Sequence, residues 1–328
     1  MLLLSKAMIR QFFSLQDSIS AVKDAFVLFS KGKVQVPLRT RIVTEEGNGT
    51  FLCMPSYCAE EKAACVKILN VFPSNIPKGM PSIHAQILIM DTETGVIKGI
   101  LDGGYVTQLR TGAASGAALD ILAKKECKKG ALIGTGGQAP AQLEAMIAVR
   151  NLEEVQIFDT DYKRAKEFAE QMTTELGHYG TNITAVSNAD DAVMDSDVII
   201  TVTTSTKPVF DDKKVKSGAM VCAVGSYRPH MQELPPALLA RASKIYFDSQ
   251  EAVLSESGDI IIPLKDGTIT GEKFTGELGE VICGKVVGRE DDEEIIIFET
   301  VGIAAQDLIT AKYIFKKAQE EGYGFLWE

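Results

Sequence analysis

Gly130-Ala131-Leu132-Ile133-Gly134-Thr135-Gly136-Gly137-Gln138-Ala139 opens the stretch that decides the fold. The first four residues are a short apolar run that reads as a buried strand. A glycine-rich turn follows. From Ala141 to Val149 the pattern is helical, with Leu143, Met146 and Ile147 on one side. Val155-Gln156-Ile157-Phe158 reads as a second strand, and Asp159 stands at its end. Strand, glycine turn, helix, strand and acid, in that order, are the parts of a dinucleotide-binding unit.

Each part has a physical reason. Gly134 has no Cβ to clash in a tight turn. Gly136 lets the backbone approach a pyrophosphate, and Ala139 takes the third glycine's place, where a small residue lets helix and sheet pack. The helix N-terminus offers unpaired N–H groups and the positive end of its dipole to phosphates. Asp159 can accept hydrogen bonds from the adenosine ribose hydroxyls. A lone glycine motif is also found as a tight turn in any α/β protein; here its whole context is present, which points to a nicotinamide cofactor. Asp159 and Asp161 would repel a 2′-phosphate, and Thr160 stands where an arginine could have met one. The acids therefore favour NAD(H) over NADP(H), although Lys163 and Arg164 are close enough in sequence to offset part of that repulsion.

A chain of 328 residues has room for two domains. Its hydrophobic content of 45% and charged content of 24% are those of a globular protein. The net charge of −10 argues against a nucleic-acid or acidic-membrane partner. No apolar run is long enough to span a bilayer, and Met1-Leu2-Leu3-Leu4 runs at once into Ser5, Lys6 and Arg10 without a cleavage site. The six cysteines form no Cys-x-x-Cys pair and read as buried free thiols in a reducing cytoplasm. The three histidines are far apart and no metal site is expected.

Outside the glycine turn the chain divides by pattern. Ser14 reads as a helix cap, followed by Ile19, Val22, Phe26 and Phe29 at helical spacing and by Gly32 as a stop. Residues 36–101 read as strands. One hairpin signal turns at Glu46-Gly47-Asn48-Gly49 and another at Asp91-Thr92-Glu93-Thr94-Gly95. After the glycine turn, buried strands are expected at Asp197–Val202, Ala219–Val224, Ile245–Phe247 and Ile295–Phe298. The first three are followed by small polar groups, as at the ligand-binding edge of a doubly wound sheet. A long helix is expected from Val301 to about Glu321, with Ala304, Leu308, Ala311, Phe315 and Ala318 on one stripe. The fold class is therefore α/β: a Rossmann-type doubly wound domain over 118–302, with an α+β domain built from 1–117 and 303–328.

Three cations in the first part are candidates. Lys67 interrupts the apolar strand Cys65–Leu69, where alternation leaves open whether it points inward or out. Arg39 has Arg41 as an equally placed neighbour. Arg110 reads as opening a helix of very small residues, Thr111 to Ala118, which is also what close helix packing would require.

The chain resembles the ornithine cyclodeaminase/mu-crystallin family over essentially its whole length. The resemblance is carried by Pro37-Leu38-Arg39-Thr40, Met54-Pro55, Lys67, Asp102-Gly103, Arg110-Thr111 and Gly134-Thr135-Gly136-Gly137-Gln138, and further on by Asp248–Ala252, Glu256-Ser257-Gly258-Asp259 and Glu277-Leu278-Gly279-Glu280. It implies a homodimer built through the first domain, with the last helix returning to it. It implies a substrate carboxylate held by Arg39, Lys67 and Arg110, and Lys67 and Arg110 as catalytic positions. Cofactor contacts are implied at Gln86, Arg110, Thr111, Gly134, Gly136, Gly137, Gln138, Asp159, Val202, Ser226 and Thr300.

Family cyclodeaminases carry an aspartate where this sequence has Tyr227, and a glutamate before the Met-Pro pair where it has Leu52. Those carboxylates handle the substrate amines, so loss of ammonia from ornithine lacks its acid–base partners here. What remains suits reduction of a cyclic α-imino acid: Δ1-pyrroline-2-carboxylate to L-proline, or Δ1-piperideine-2-carboxylate to L-pipecolate. The Gly225–Pro235 stretch is similar to that of bacterial Δ1-pyrroline-2-carboxylate reductases. Ornithine cyclodeaminase, an alanine dehydrogenase-like enzyme and a cofactor-binding protein without turnover are the alternatives. The expected partner is a small imino or amino acid, with no nucleic acid and no membrane.

Overall fold

The computed structural model describes residues 1–37, 39–44 and 49–328. They form two compact units, Met1–Arg110 with Ile303–Glu328, and Thr111–Gly302. The chain passes from the first to the second inside one helix, Gly103–Leu122.

The first unit holds a mixed sheet. Its strands are β1 (Leu2–Leu4), β2 (Val34–Gln35), β3 (Thr40–Val43), β4 (Thr50–Cys58), β5 (Ala63–Val71), β6 (Ile83–Met90) and β7 (Ile97–Asp102), with the terminal strand Phe325–Leu326 beside β1. The order is terminal strand, β1, β7, β6, β5, β4, β2, and β3 pairs with β4. Only β1 and β7 run parallel among these pairs. Alternation gives this sheet two different faces. One carries Met54, Ser56, Cys65, Lys67, Ile87 and Leu101, all buried. The helix Ala304–Glu321 lies on that face, and the helix Leu15–Ser30 packs against it. The opposite face carries Phe51, Tyr57 and Ile68, which remain exposed.

Local chemistry explains the boundaries. Ser14 caps the helix Leu15–Ser30 in a reciprocal box: Asp17 N–H donates to Ser14 Oγ at 3.1 Å, and Ser14 N–H donates to Asp17 Oδ2 at 2.9 Å. The β6–β7 hairpin is closed by Asp91 Oδ1, which accepts from the Thr94 backbone and hydroxyl, both at 2.8 Å. Of the other expected turn, Glu46 to Gly49, residues 46–48 lie outside the described residues; β3 and β4 pair antiparallel from Val43↔Thr50 onward.

The second unit is an eight-stranded sheet, parallel throughout. Its strands are β8 (Lys129–Ile133), β9 (Glu154–Phe158), β10 (Asn182–Ala185), β11 (Val198–Thr201), β12 (Met220–Ala223), β13 (Lys244–Phe247), β14 (Phe274–Glu277) and β15 (Ile296–Glu299). The order is β10-β9-β8-β11-β12-β15-β13-β14. The chain steps outward from β8 to β10, then returns to the other side of β8 with β11. That reversal makes the carboxyl ends of β8 and β11 the switch point of a doubly wound sheet. Every residue of β11, β12 and β15 is buried, as strands covered on both faces require. Ala131, Ile199, Val221, Ile245 and Ile297 belong to its core.

Several boundaries differ from the sequence reading. Arg110 does not open a helix; it sits two turns inside Gly103–Leu122. That helix starts directly after β7, because Asp102 Oδ1 accepts from Tyr105 N–H at 2.9 Å and supplies the cap. The last helix begins at Ala304 and not at Val301, because the N–H groups of Val301 and Gly302 donate to Asp248 Oδ2 at 3.1 and 2.7 Å. Cys53 and Cys283 are half-buried; the other four cysteines are buried. No helix among the described residues is long and apolar enough to cross a membrane.

Candidate active site

In the second unit the glycine turn joins β8 to the helix Ala139–Val149. Gly134 has φ +104°, a region that side chains avoid, and a Cβ there would come within 2.8 Å of Val202 O. Its N–H donates to Phe158 O at 2.7 Å, tying the turn to the end of β9. A Cβ built at Gly136 or Gly137 meets no atom within 4 Å. The turn therefore has open space in front of the helix N-terminus, where a pyrophosphate would need it. Asp159 stands at the end of β9 and accepts from Thr135 N–H at 3.0 Å, from Thr135 Oγ1 at 2.6 Å and from Asp161 N–H at 3.1 Å. Burial pulls the Asp159 carboxyl up; these hydrogen bonds and the charge of Arg164 outweigh it and hold the group below the usual carboxylate range. Asp159 is therefore an anion at neutral pH, held beside the turn by Thr135. These residues fit a dinucleotide.

Val202 and Thr300 follow β11 and β15 directly, and Ser226 comes three residues after the end of β12, so the parallel register brings them to one end of the sheet. Val202 N–H donates to Ile133 O at 2.9 Å. Ser226 is fully buried; its hydroxyl donates to Met231 O at 3.0 Å and accepts from Ser257 Oγ at 3.1 Å. Thr300 Oγ1 donates to Asp248 Oδ2 at 2.6 Å. Thr111 O accepts from Gln142 Nε2 at 3.0 Å, and Gln138 precedes the first turn of the helix after the glycines.

The same unit holds a set of buried acids to which the sequence analysis gave no role. Glu233 accepts from Thr201 Oγ1 at 3.0 Å, from Thr203 N–H at 2.5 Å and from Gly225 N–H at 2.7 Å, clasping the ends of β11 and β12. Asp259 Oδ1 accepts from the backbone N–H groups of Glu233 and Leu234, at 2.7 and 2.8 Å. Glu299 Oε1 accepts from Ser257 Oγ at 2.7 Å, while its Oε2 finds no partner among the described residues. Burial, and then the neighbouring negative charges, push Asp259 and Glu299 well above the carboxylate range. Among the described residues no group of three or more His, Cys, Asp or Glu could hold a metal ion.

In the first unit the question about Lys67 is resolved. The register sets it opposite Met54 and Ile87, on the covered face, at 1% exposure. Its Nζ donates to Asp307 Oδ2 at 2.5 Å. Arg110, also buried, donates from Nε to Asp307 Oδ1 at 3.1 Å and from Nη1 to Gln306 Oε1 at 3.0 Å. One carboxylate thus holds two cations. Arg39 is half-buried, and its charge also reaches Lys67. Burial lowers the Lys67 amine to about 8; Asp307 opposes that shift, and Arg110 and Arg39 add to it. Burial would raise the Asp307 carboxyl, but the Lys67 and Arg110 charges prevail and hold it below its ordinary value. Gln86 is not brought to this cluster: it pairs with Ile68, on the opposite face of the sheet from Lys67.

Asp307 was missed in the sequence, although a signal was present. It lies three residues after Ala304 and four before Ala311, hence on the stripe that faces the core. A carboxylate on such a stripe calls for a buried cation, and Lys67 is one. Tyr227, which stands in place of the cyclodeaminase aspartate, is exposed and lies against the guanidinium of Arg228. Leu52 is half-buried in β4, opposite Leu69.

The family profile described as ornithine cyclodeaminase/mu-crystallin matches residues 1–322. The chain belongs to that family. A Δ1-pyrroline-2-carboxylate reductase from Bacillus cereus is 36% identical over 99% of this chain and 98% of its own. The structure of Thermococcus litoralis Δ1-pyrroline-2-carboxylate reductase in complex with NADH and L-proline covers 100% of both chains, at 40% identity and a TM-score of 0.94. An archaeal alanine dehydrogenase dimer with bound NAD covers 100% of this chain and 98% of its own, at 34% identity and a TM-score of 0.90. The family thus spans more than one reaction, and the site residues carry the choice between them.

Proposed function

We propose that this chain is a reductase of C=N bonds that uses NAD(H) in preference to NADP(H), and that it converts Δ1-pyrroline-2-carboxylate to L-proline and Δ1-piperideine-2-carboxylate to L-pipecolate. The carrying observation is the buried pair Lys67 and Arg110, two cations held by a single carboxylate in a protein of net charge −10. Excess positive charge out of water calls for an anion. The relatives that bind NADH with L-proline, or are named for Δ1-pyrroline-2-carboxylate, say which kind of anion to test first.

In this reading Arg39, Lys67 and Arg110 hold the substrate carboxylate, the arginines offering a planar fork to a planar group. Gly134, Gly136, Gly137 and Gln138 hold the pyrophosphate, and Asp159 holds the ribose. Gln86, Thr111, Val202, Ser226 and Thr300 are the remaining proposed cofactor contacts, and Gln86 requires the most of the geometry. When bound, the nicotinamide supplies a hydride. The imine nitrogen must be protonated to accept it at carbon, and Lys67, whose amine loses its proton near pH 8, can hold or deliver that proton. One hydride and one proton turn the C=N bond into an amine, which balances the step.

The exposed sheet face that carries Ile42, Phe51, Tyr57 and Ile68 is proposed as the surface on which a second copy packs, giving a homodimer. The relative with bound NAD is a dimer. A single-step sedimentation profile at the monomer mass would rule this out.

The test of function is NADH oxidation with each cyclic imino acid. Turnover with at least one ring, and none with ornithine, is expected. The alternative favoured by the 34% identical alanine dehydrogenase is tested with pyruvate and ammonium in the same assay. Oxidation only under those conditions would replace the proposed activity with an open-chain amination. NADH binding with no oxidation by any of these compounds would leave a cofactor-binding protein.

A further inference from the structure

We propose that Asp307 is a positioning residue of the carboxylate site: it fixes the heads of Lys67 and Arg110 and keeps Lys67 charged until substrate arrives. This rests on the carboxylate clamp of the proposed function. Asp307 is fully buried and uses both oxygens, one for Lys67 Nζ and one for Arg110 Nε. Gln306, its neighbour on the same helix, takes Arg110 Nη1, and its own Nε2 finds no acceptor among the described residues. The two residues thus hold two of the three guanidinium nitrogens.

The charges around Lys67 show why Asp307 matters. The groups that bear on it are Asp307 on the last helix, Arg110 on the helix Gly103–Leu122, Arg39 ahead of β3 and, on its own strand, the buried thiol of Cys65. Two of these are cations and one is an anion; burial pushes the Cys65 thiol up to about 12, so it carries no charge near neutrality. Without Asp307, Lys67 would sit in a dry site with two like charges and nothing to balance them. It would then shed its proton below the pH at which it now does, and a neutral amine is a poor host for a carboxylate. An opposite charge at this range is worth about 1–3 pH units to the group it faces.

The experiment is calorimetric titration with pyrrole-2-carboxylate in the presence of NADH, from pH 6 to pH 10. This planar acid reads the clamp without turnover. For the wild type, affinity is expected to fall as pH rises through about 8, where Lys67 loses its proton. For Asp307→Asn the same fall is expected about one pH unit lower or more. Asp307→Glu keeps the charge but shifts it by a methylene. It is expected to leave the fall in place and to weaken binding by about tenfold or more. A pH dependence unchanged in Asp307→Asn overturns the proposal, as does unchanged affinity in Asp307→Glu, or a wild type that binds no pyrrole-2-carboxylate at any pH. If Asp307→Asn does not fold, Asp307→Glu alone decides. A wild type that binds the acid but reduces no imino acid would refute the proposed activity and leave this inference standing.

Discussion

Replacing Asp159 should change which cofactor the protein uses, and the size of the change can be worked out. Asp159 is an anion at the end of β9, half-buried and held by Thr135 and Asp161. Hydrogen bonds from ribose hydroxyls to a charged acceptor contribute about 1.5–3 kcal/mol. A 2′-phosphate in their place would meet a like charge, and at about 4 Å that repulsion is about 1 kcal/mol in water and about 4 kcal/mol at the dielectric of a protein surface. Removing the carboxylate therefore weakens NADH and relieves NADPH at once. The two smaller figures together give about 2.5 kcal/mol, a change of roughly 70-fold in the NADH-to-NADPH ratio of Kd. Asp159→Ala tests both effects. Asp159→Asn removes the charge but keeps an oxygen for Thr135 N–H, so it isolates the repulsion. Arg164 supplies a further control. It donates to Thr135 O at 3.0 Å, and its charge bears on Asp159. In the Asp159→Asn background, Arg164→Ala should abolish the gain in NADPH affinity. The assay is fluorescence titration with both reduced cofactors. A Kd ratio that stays put in Asp159→Ala would show that this acid does not read the ribose.

Three further outcomes are expected. With NADH saturating, kcat/KM for the imino acid should fall as pH rises through about 8, because burial lowers the Lys67 amine and the proton it needs is lost there; Lys67→Arg, charged throughout, should lose that limb even if it is slower. Arg110→Ala should raise KM for the imino acid by a factor corresponding to about 2–5 kcal/mol while NADH affinity changes far less, and equal losses of both would count against the clamp. Glu299→Gln should leave stability at pH 8 unchanged or raise it: an acid whose folded pKa is raised above its unfolded value contributes most at low pH, and that contribution is lost as pH rises from the ordinary carboxylate range towards the folded value. Urea midpoints for wild type and variant at pH 5 and pH 8 check the sign, and a variant less stable at pH 8 than at pH 5, relative to wild type, would contradict it.

The parts of the fold that were legible in the sequence were those with a local cause. The glycine turn, the capped helix after Ser14 and the hairpin at Asp91 each state their geometry within a few residues. Strands buried on both faces, such as Val198–Thr201 and Met220–Ala223, announced themselves as unbroken apolar runs. What could not be read was partnership across the chain. The insertion of β15 between β12 and β13 depends on which neighbours the sheet accepts, and the edge strands β10 and β14 mix polar with apolar residues and show no unbroken apolar run. The site divides in the same way. The turn at Gly134 and the place of Asp159 at the end of β9 were readable because each depends on near neighbours in the chain. Lys67 was ambiguous because one step of alternation separates core from solvent, and its direction shows only in the strand register and in its bond to Asp307, some 240 positions away. The starting point of the helix around Arg110 was misread because its small residues hide the cap at Asp102.

The most direct test is a crystal structure of the protein with NADH and pyrrole-2-carboxylate together. The carboxylate is predicted to contact Lys67 Nζ and the Arg110 guanidinium, with the nicotinamide C4 about 3–3.5 Å from the ring carbon that bears it. A carboxylate bound away from Lys67 and Arg110, or a C4 too distant for transfer, would contradict the proposed chemistry.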